Sequence, residues 1–357
     1  MARIDREALT LFSTQVLAAA GVSGEDARAL AALLVKSDLQ GYAAHGTAVI
    51  PTYLDRIRQG LIRLDADPII VRETKTTAVI DGQQYVGQIV ALRAMRMAIE
   101  KAKEHDVGVV CLRRAGHIGR LADYVELASD AGMVGVAMVS VGGGNIAPHG
   151  GMEPIAGTNP IAFGVPARDG PVLIDFATAS MSARELQRRV RHGEPIPPGV
   201  LLDGSGLPTT DYAAYVGPPR GVMLPFGGHK GSAIHLMAEI LGGVLSGNGL
   251  GFDLRDSGGP AINAAFFQAI SVEAFGPMDE FLDKMEDLRS NVRSRKPAPG
   301  FDSVRVPGDG SRARAEVNER DGVPVDDAAW ADLIARAAQL GVTDVPEPIT
   351  ASRATQS

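Results

Sequence analysis

The amino-acid sequence predicts an α/β fold that begins with a helical segment. Two observations lead to this class. Residues 5–60 repeat apolar side chains at helical spacing, and from about residue 68 short apolar strands alternate with helices. The chain has 357 residues, more than a single small core accommodates, so about two domains are expected. The alternation alone leaves open whether the strands run parallel.

The helical start is divided into three predicted helices by its glycines and one capping residue. Apolar residues recur at helical spacing over residues 9–17, and Gly21 ends this first helix. Ser23 is placed to cap the second helix, and Gly41 sits where a glycine in the left-handed conformation would end it. A short third helix is predicted over residues 53–58.

The later elements are bounded by turn residues such as Asp81-Gly82 and the segment ARDG, residues 167–170. The predicted strands are residues 76–81, 107–112, 134–140, 160–167 and 171–177. The predicted helices are residues 87–106, 121–132, 180–191, 231–247 and 328–340. Residues 201–210, 250–260 and 293–314 are predicted turns or loops, and the tail from residue 344 is expected to be frayed.

The composition excludes several classes of function. The net charge is -7 and aromatic residues make up 5% of the chain, so we expect no binding of nucleic acid or of an anionic membrane. The N-terminus lacks the apolar core of a signal peptide, and no apolar run approaches the roughly 18 residues of a membrane span. A cytoplasmic protein is therefore expected.

Several common catalytic and binding motifs are missing from the sequence. No G-x-G-x-x-G follows a predicted strand, and there is no H-E-x-x-H, no G-x-S-x-G and no pair of histidines at metal-ligand spacing. The single cysteine, Cys111, excludes an internal disulfide framework and a cysteine-rich zinc site, and core packing is expected for it. No metal site is predicted.

Histidines beside glycines are the first positive signal. A glycine neighbour lets the backbone approach a ligand closely, and such positions lie at element ends, where sites form. The alternative for each is an ordinary turn histidine. The five histidines of this kind are His45, His117, His149, His192 and His229.

Three glycine-rich segments could bind an anion through their backbone amides: residues 141–151, 157–166 and 225–232. The third ends at a predicted helix start and carries Lys230, so it is the best phosphate candidate on physical grounds. A tight turn without a ligand is the alternative for each segment.

Asp175 emerges from a predicted buried strand and needs a partner, because a buried unpaired charge is costly. A histidine is one suitable partner, since a carboxylate fixes the tautomer of the ring and favours its protonated form. The alternative is that Asp175 caps a helix that follows Ala177.

Eight short motifs follow one another between residues 43 and 309, within a match that covers about residues 5–325. They are AAHG with Pro51 and Tyr53, GHIGRLADY, NIAPHGG, GTNPIAFGVP, IDFATAS, LLDGSGLPTT, LPFGGHKGS and VRVPGD. Each is weak alone, but in this order they are specific. In these residues the chain resembles the malate/L-lactate dehydrogenase family that lacks the Rossmann fold. The segment GHIGRLADY is similar to the corresponding motif of the hydroxycarboxylate dehydrogenase branch of that family.

The resemblance implies an NAD(P)-dependent oxidoreductase that moves a hydride between NAD or NADP and a 2-hydroxy acid, a 2-oxo acid or a related small carbonyl compound. It implies a non-Rossmann fold like that of sulfolactate dehydrogenase. A mainly helical domain would comprise residues 1–67 and 255–357, and an α/β cofactor-binding domain with a largely antiparallel sheet would comprise residues 68–254. It also implies a cytoplasmic homodimer.

The resemblance assigns roles to matching positions of this chain. His45 matches the acid–base histidine, and Asp175 matches the aspartate that orients it. The residues matched to substrate binding are His117, Val49 and Thr158. The residues matched to cofactor binding are Gly119, Asn159, Phe176, Ala177, Thr178, Ser180, Met181, His229, Lys230, Pro307, Gly308 and Asp309.

The chain departs from the family pattern at three places. Ala44 replaces a serine, Val49 replaces an arginine that in many members grips the substrate carboxylate, and residues 183–186 lack a usual Gly-Lys. Loss of that arginine removes a strong charge-assisted bond, so the substrate is expected to be less acidic or to be held by Arg56 or Arg113. The alternatives are a cyclic imine (ketimine) reductase and a catalytically impaired dinucleotide-binding homologue.

Overall fold

The computed structural model of the chain describes residues 1–253 and 262–349. Its helices are α1 (Arg6–Ala19), α2 (Gly24–Leu39), α3 (Ile50–Arg58), α4 (Gly87–His105), α5 (Ala122–Asp130), α6 (Ala183–Arg191), α7 (Tyr212–Val216), α8 (His229–Ala238), α9 (Met278–Arg293), α10 (Asp309–Asp321) and α11 (Asp327–Gln339). Its strands are β1 (Ala2–Ile4), β2 (Ile69–Glu73), β3 (Thr77–Asp81), β4 (Val107–Ala115), β5 (Met133–Val141), β6 (Ile161–Val165), β7 (Val172–Phe176), β8 (Leu201–Leu202), β9 (Pro208–Thr209), β10 (Val222–Met223), β11 (Asn263–Ser271) and β12 (Val323–Val325).

The chain divides into two compact units. The helical unit comprises Met1–Ala66 and the chain from Glu286 onward, and the sheet unit comprises Asp67–Met285. The sheet unit therefore extends past residue 254, where the sequence analysis ended it. The reason is that β11 lies inside its sheet, between β4 and β5.

In the helical unit, the amphipathic helices α1 and α2 pack together. Ser23 accepts a hydrogen bond from the Asp26 amide and so caps α2, as the sequence predicted. Phe12 of α1 and Trp330 of α11 meet edge to face, with ring centres 5.4 Å apart. The two ends of the chain are also joined by pairing of β1 with β12.

The sheet unit is built on seven strands in the order β2-β3-β4-β11-β5-β6-β7. Only the β3–β4 pair among these strands is parallel, so the expected largely antiparallel sheet is confirmed. Helices α4 and α5 pack against this sheet. A separate three-stranded sheet has the order β10-β8-β9, and β8 and β9 lie in the segment predicted to be turns only.

Two facing glycines seat α5 on the sheet. Gly135 of β5 pairs with Gly164 of β6, and a Cβ added at Gly164 would lie 2.3 Å from the Val125 carbonyl oxygen. A side chain at this position would push the helix away from the strands. The start of α5 can therefore approach β7, where Asp175 lies.

Local sequence signals predicted α1–α6, α8, α11 and β3–β7, but not the other helices and strands. The helix predicted over residues 231–247 exists as α8 followed by a π-helical segment, Glu239–Val244. The segment predicted as a loop over residues 293–314 becomes helical already at Asp309. The predicted loop at 250–260 and the predicted tail fall largely outside the described residues. Within the described part of the chain, no helix is both long and apolar enough to cross a membrane.

Candidate active site

His45 lies in a short connection between α2 and α3. The chain makes two single 3₁₀ turns there, Ala43–His45 and Thr47–Val49, before α3 begins. The His45 amide donates to the Tyr42 carbonyl oxygen at 2.8 Å, which closes the first turn. His45 is thus presented by tight backbone turns rather than by the end of a regular helix.

Asp175 lies in β7 opposite Ala162 of β6, and its Oδ2 accepts a hydrogen bond from the Ala122 amide at 2.8 Å. That amide opens α5, where free N–H groups favour an anion. The alternative that Asp175 caps the helix after Ala177 is wrong, because Ser182 caps α6. Burial raises the pKa of Asp175 to about 6, although the Ala122 amide and the nearby Arg120 guanidinium oppose this shift.

A buried ion pair lies beside Asp175. The Arg120 guanidinium donates to the Asp123 carboxylate, and both side chains are buried. The attraction of Arg120 and the repulsion of Asp123 both act on the pKa of Asp175. These two charges, which the sequence analysis did not single out, therefore belong to the electrostatic setting of the predicted catalytic carboxylate.

Thr178, just after β7, is fixed by a buried histidine. Its Oγ1 lies 2.9 Å from the Thr158 carbonyl oxygen, 3.0 Å from that of Asn159 and 2.8 Å from Nδ1 of His235. Because the single hydroxyl hydrogen goes to one of the carbonyls, Nδ1 of His235 is assigned as the donor to Oγ1. Burial lowers the pKa of His235 to about 4, which keeps the ring neutral.

Asn159 extends this network. It is completely buried and has a φ of 35°, a left-handed conformation that asparagine tolerates better than most residues. Its Oδ1 accepts from the Val141 amide at 2.9 Å, and its Nδ2 donates to Oε2 of Glu239 at 2.8 Å. The side chains of Asn159 and Thr178 are therefore engaged within the unit and can act on a cofactor only through the backbone that they position.

The other matched residues, from Phe176 at the end of β7 onward, differ in exposure. Phe176 is exposed and meets Phe226 edge to face at 5.5 Å. The Ser180 amide donates to the Leu224 carbonyl oxygen, and Ala177 and Met181 are partly buried against a small apolar cluster around Met223. Phe176 is the member of this segment most open to contact with a ligand.

The loop that carries His117 and Gly119 is closely packed. Gly119 has a φ of 71°, and a Cβ added at Gly87, the first residue of α4, would lie 2.5 Å from the His117 carbonyl oxygen. The Tyr124 hydroxyl donates to the Ile118 carbonyl oxygen. The loop is therefore held by α4 and α5, and the His117 side chain is partly exposed.

His229 and Lys230 open α8 and are exposed. The two preceding glycines have φ values of 57° and 62°, and a Cβ added at the first, Gly227, would meet no atom within 4 Å. The His229 ring lies 5.9 Å from the ring of His149, which belongs to the first glycine-rich segment, residues 141–151. Open backbone, a helix start and a lysine fit the phosphate groups of a dinucleotide.

Pro307, Gly308 and Asp309 form the start of α10 in the helical unit. The Asp309 carboxylate accepts from the Val306 amide at 2.9 Å and from Arg293 at 2.7 Å. These contacts hold the pKa of Asp309 well below its usual range. The carboxylate thus stabilises its own turn.

The arginines considered for the substrate carboxylate differ in their surroundings. Arg113 donates to Oδ2 of Asp81 at 3.0 Å, so its charge is already paired. Arg56 lies on α3 and is partly exposed. Val49 is buried, with 2% of its surface exposed, and offers a ligand little contact area. Within the described residues, no group of three or more His, Cys, Asp or Glu side chains is placed to hold a metal ion.

Comparison with known proteins identifies the family. The family model for malate/L-lactate dehydrogenase matches residues 4–334. A malate dehydrogenase from Pyrococcus horikoshii is 33% identical over 348 residues, which cover 95% of this chain and 96% of that protein. The resemblance noted in the sequence is therefore confirmed.

Solved structures agree with this result. The sulfolactate dehydrogenase from Methanocaldococcus jannaschii has a TM-score of 0.88 and 34% identity, over 95% of this chain and 98% of that chain. The delta1-piperideine-2-carboxylate reductase from Pseudomonas syringae pvar. tomato has a TM-score of 0.82 and 26% identity, over 94% and 100% of the two chains. The chain belongs to the malate/L-lactate dehydrogenase family of pyridine-nucleotide-dependent oxidoreductases.

Proposed function

We propose that the protein transfers a hydride between a nicotinamide cofactor and a small 2-hydroxy or 2-oxo acid. The observation that carries the proposal is the family match over residues 4–334, which includes His45 and Asp175. Bound NAD(H) or NADP(H) supplies or accepts the hydride. His45 is the proposed acid that gives a proton to the substrate oxygen in reduction and takes it back in oxidation.

Asp175 is the proposed second catalytic group. A carboxylate stabilises a protonated imidazole and selects the ring tautomer in enzymes that use such a pair. The amide of Ala122 and the guanidinium of Arg120 favour the ionised form of Asp175, against the effect of burial. Asp175 would thus be ionised above about pH 6. In that pH range its negative charge would stabilise the protonated form of a general acid such as His45.

The proposed cofactor site uses the segments that the motifs matched. The α8 start with His229 and Lys230 is suited to phosphate, and Phe176 offers an apolar face. Gly119, Ala177, Ser180, Met181 and residues 307–309 remain proposed cofactor contacts, while Asn159 and Thr178 are proposed to position the chain. His117, Val49 and Thr158 remain proposed substrate contacts.

A cyclic imine is the second candidate substrate. One structural relative is named delta1-piperideine-2-carboxylate reductase, and Val49 stands where the family pattern often has a carboxylate-binding arginine. In this reaction His45 would give its proton to the imine nitrogen instead of a carbonyl oxygen.

The test is a substrate panel with each cofactor. The purified protein is mixed with NADH or NADPH and with 2-oxo acids carrying a methyl, a carboxylate or a sulfonate group, or with cyclic imino acids, while cofactor absorbance is followed. Turnover of an oxo acid supports the main proposal, and turnover of imines alone selects the second. Cofactor binding by fluorescence without turnover of any compound would instead favour a catalytically impaired homologue.

We also propose a cytoplasmic homodimer. Apolar side chains are exposed along α8 and the π-helical segment that follows it, including Leu236, Met237, Val244 and Leu245. Exposed apolar side chains grouped on one element often mark a contact between subunits. Sedimentation equilibrium tests the proposal: a dimer mass is expected for the wild type, and a monomer mass at micromolar concentration contradicts it.

A further inference from the structure

Asp38 is a buried carboxylate near the His45 turns. It lies on α2, four residues after Leu34 and eight after Leu30, and therefore on the buried face of the helix. Only 3% of its surface is exposed. In the described part of the chain no lysine or arginine forms an ion pair with it, and burial raises its pKa to about 6. Burial of a carboxylate costs free energy of folding unless hydrogen bonds compensate for the lost contact with water.

Both hydrogen bonds of Asp38 go to one residue of the connection. Its Oδ2 accepts from the Thr47 amide at 2.7 Å and from the Thr47 hydroxyl at 2.7 Å. Thr47 is itself completely buried. Hydrogen bonds to an ionised acceptor are stronger than those between neutral groups. Asp38 therefore fixes the backbone two residues after His45.

Gly46 allows the chain to lie directly on this carboxylate. A Cβ added at Gly46 would lie 1.7 Å from Oδ1 of Asp38, which is too close for two atoms that are not bonded. The φ of Gly46 is -90°, which any residue adopts, so close approach and not backbone conformation requires the glycine here. The residue directly after His45 is thus pressed against Asp38.

The other end of the connection is held by α10. Asn318 donates to the Leu39 carbonyl oxygen at 2.8 Å, and Arg314 donates to that of Gln40 at 2.9 Å. The Arg314 guanidinium also lies over the Tyr42 ring, 5.7 Å from its centre. His45 therefore lies between two anchored points of the chain, Tyr42 on one side and Gly46-Thr47 on the other.

We propose that Asp38 is a positioning residue: through Thr47 and Gly46 it fixes the turn that presents His45. The inference rests on the proposed function for its catalytic consequence.

The kinetic test uses Asp38→Asn and Thr47→Val, with Thr47→Ser as the matched control. Asp38→Asn removes the charge, Thr47→Val removes one donor at almost constant volume, and Thr47→Ser keeps both donors. Because a small misplacement of a catalytic group can cost about 100-fold in rate, kcat is expected to fall about 10- to 100-fold in the first two variants. The KM for the cofactor is expected to stay within about twofold, and Thr47→Ser should keep wild-type kcat.

The double variant Asp38→Asn/Thr47→Val gives a further check. Because both substitutions weaken the contact between Asp38 and Thr47, its kcat should fall by less than the product of the two single effects. Loss of kcat in Thr47→Ser equal to that in Thr47→Val, or wild-type kcat in both Asp38→Asn and Thr47→Val, overturns the inference.

Amide hydrogen exchange separates this inference from the proposed function. Exchange of residues 42–49 is expected to accelerate at least about tenfold in Asp38→Asn and in Thr47→Val, while that of α4 is unchanged. Hydrogen exchange can be measured without turnover. An inactive wild-type protein would therefore contradict the proposed function but not the role of Asp38. Unchanged exchange at 42–49 in both variants would show that Asp38 does not fix the turn.

Discussion

The two segments proposed to carry the chemistry are held in place by different means. In the helical unit, the chain after His45 is held by the buried carboxylate of Asp38 through two hydrogen bonds to Thr47, and the chain before His45 is held by α10. In the sheet unit, the segment after β7 is held by four buried side chains, those of Asn159, Thr178, His235 and Glu239. The contact between Asp38 and Thr47 joins residues only 9 positions apart and involves a carboxylate. The network after β7 joins residues up to 80 positions apart and includes a neutral histidine.

This difference predicts how each segment responds to damage. Removal of the Asp38 carboxylate takes away both hydrogen bonds to Thr47 at once, so the chain after His45 loses this anchor in one step. A network of several buried groups loses one contact at a time and should shift less for each deletion. The turn around His45 should therefore be the more sensitive region in catalysis, and the segment after β7 the more sensitive region in stability.

Among substitutions in the supports of the two segments, Gly46→Ala is expected to have the largest effect on kcat. The new methyl group would overlap Oδ1 of Asp38, so the chain on either side of His45 must move. We expect kcat to fall by about 100-fold or more. Gly24→Ala is the matched control, since a Cβ at Gly24 meets no atom within 4 Å, and it should leave kcat unchanged. Equal activity of the two variants would show that the turn adapts without cost.

His235→Ala tests the network in the sheet unit. The substitution leaves a cavity and removes the partner of the Thr178 hydroxyl, so the free energy of unfolding should fall by about 2–4 kcal/mol. Urea unfolding measures the change. His105→Ala, at the partly exposed end of α4, should change stability by less than about 0.5 kcal/mol. A His235→Ala variant as stable as the control would mean that the network is redundant.

The buried charge of Asp38 gives a pH-dependent prediction. Burial raises its pKa from 3.8 to about 6, so the folded state binds this proton more readily than the unfolded state does. The contribution is fully present below about pH 4 and is lost as pH rises through 6. The free energy of unfolding of wild type relative to Asp38→Asn should thus decrease by at most about 3 kcal/mol between pH 4 and pH 8.

Urea unfolding of both proteins at several pH values measures this difference, in which other titrating groups largely cancel. A difference that is constant between pH 4 and pH 8 would mean that Asp38 titrates normally in the folded protein.

The smallest effect is expected where α3 is joined to α11. Arg336 makes two hydrogen bonds to Asp55, at 2.7 and 3.1 Å, but both side chains are partly exposed. Arg336→Lys should therefore lower the free energy of unfolding by less than about 1 kcal/mol and leave kcat unchanged. A larger loss of kcat would show that the turn around His45 depends on the position of α3 as well as on Asp38.

Local signals in the sequence predicted the elements that local physics determines. Ser23 caps α2 as expected. The turn at ARDG joins β6 and β7 into a hairpin, also as expected. β11 was missed because it is paired on both sides by β4 and β5, which are more than 100 residues earlier in the chain. No local pattern reports such pairing. The domain boundary was misplaced for the same reason.

The residues that hold the candidate site in place were not predicted, although two of them are recognisable in the sequence. Asp38 stands on a helix face otherwise filled by Leu30 and Leu34, and His235 lies within an apolar helical run. A lone polar residue in such a pattern indicates a buried group with a specific partner. The partner itself, Thr47 or Thr178, is determined by folding and cannot be read from spacing.

The most direct test of the catalytic assignment compares wild type with His45→Asn. With the best substrate of the panel, kcat of His45→Asn should be about 1000-fold lower, because the general acid is lost. Its dissociation constant for the cofactor, measured by fluorescence, should match that of wild type within about twofold, and His105→Asn should retain full activity. If His45→Asn turns over substrate at the wild-type rate, another group moves the proton and the role assigned to His45 is wrong.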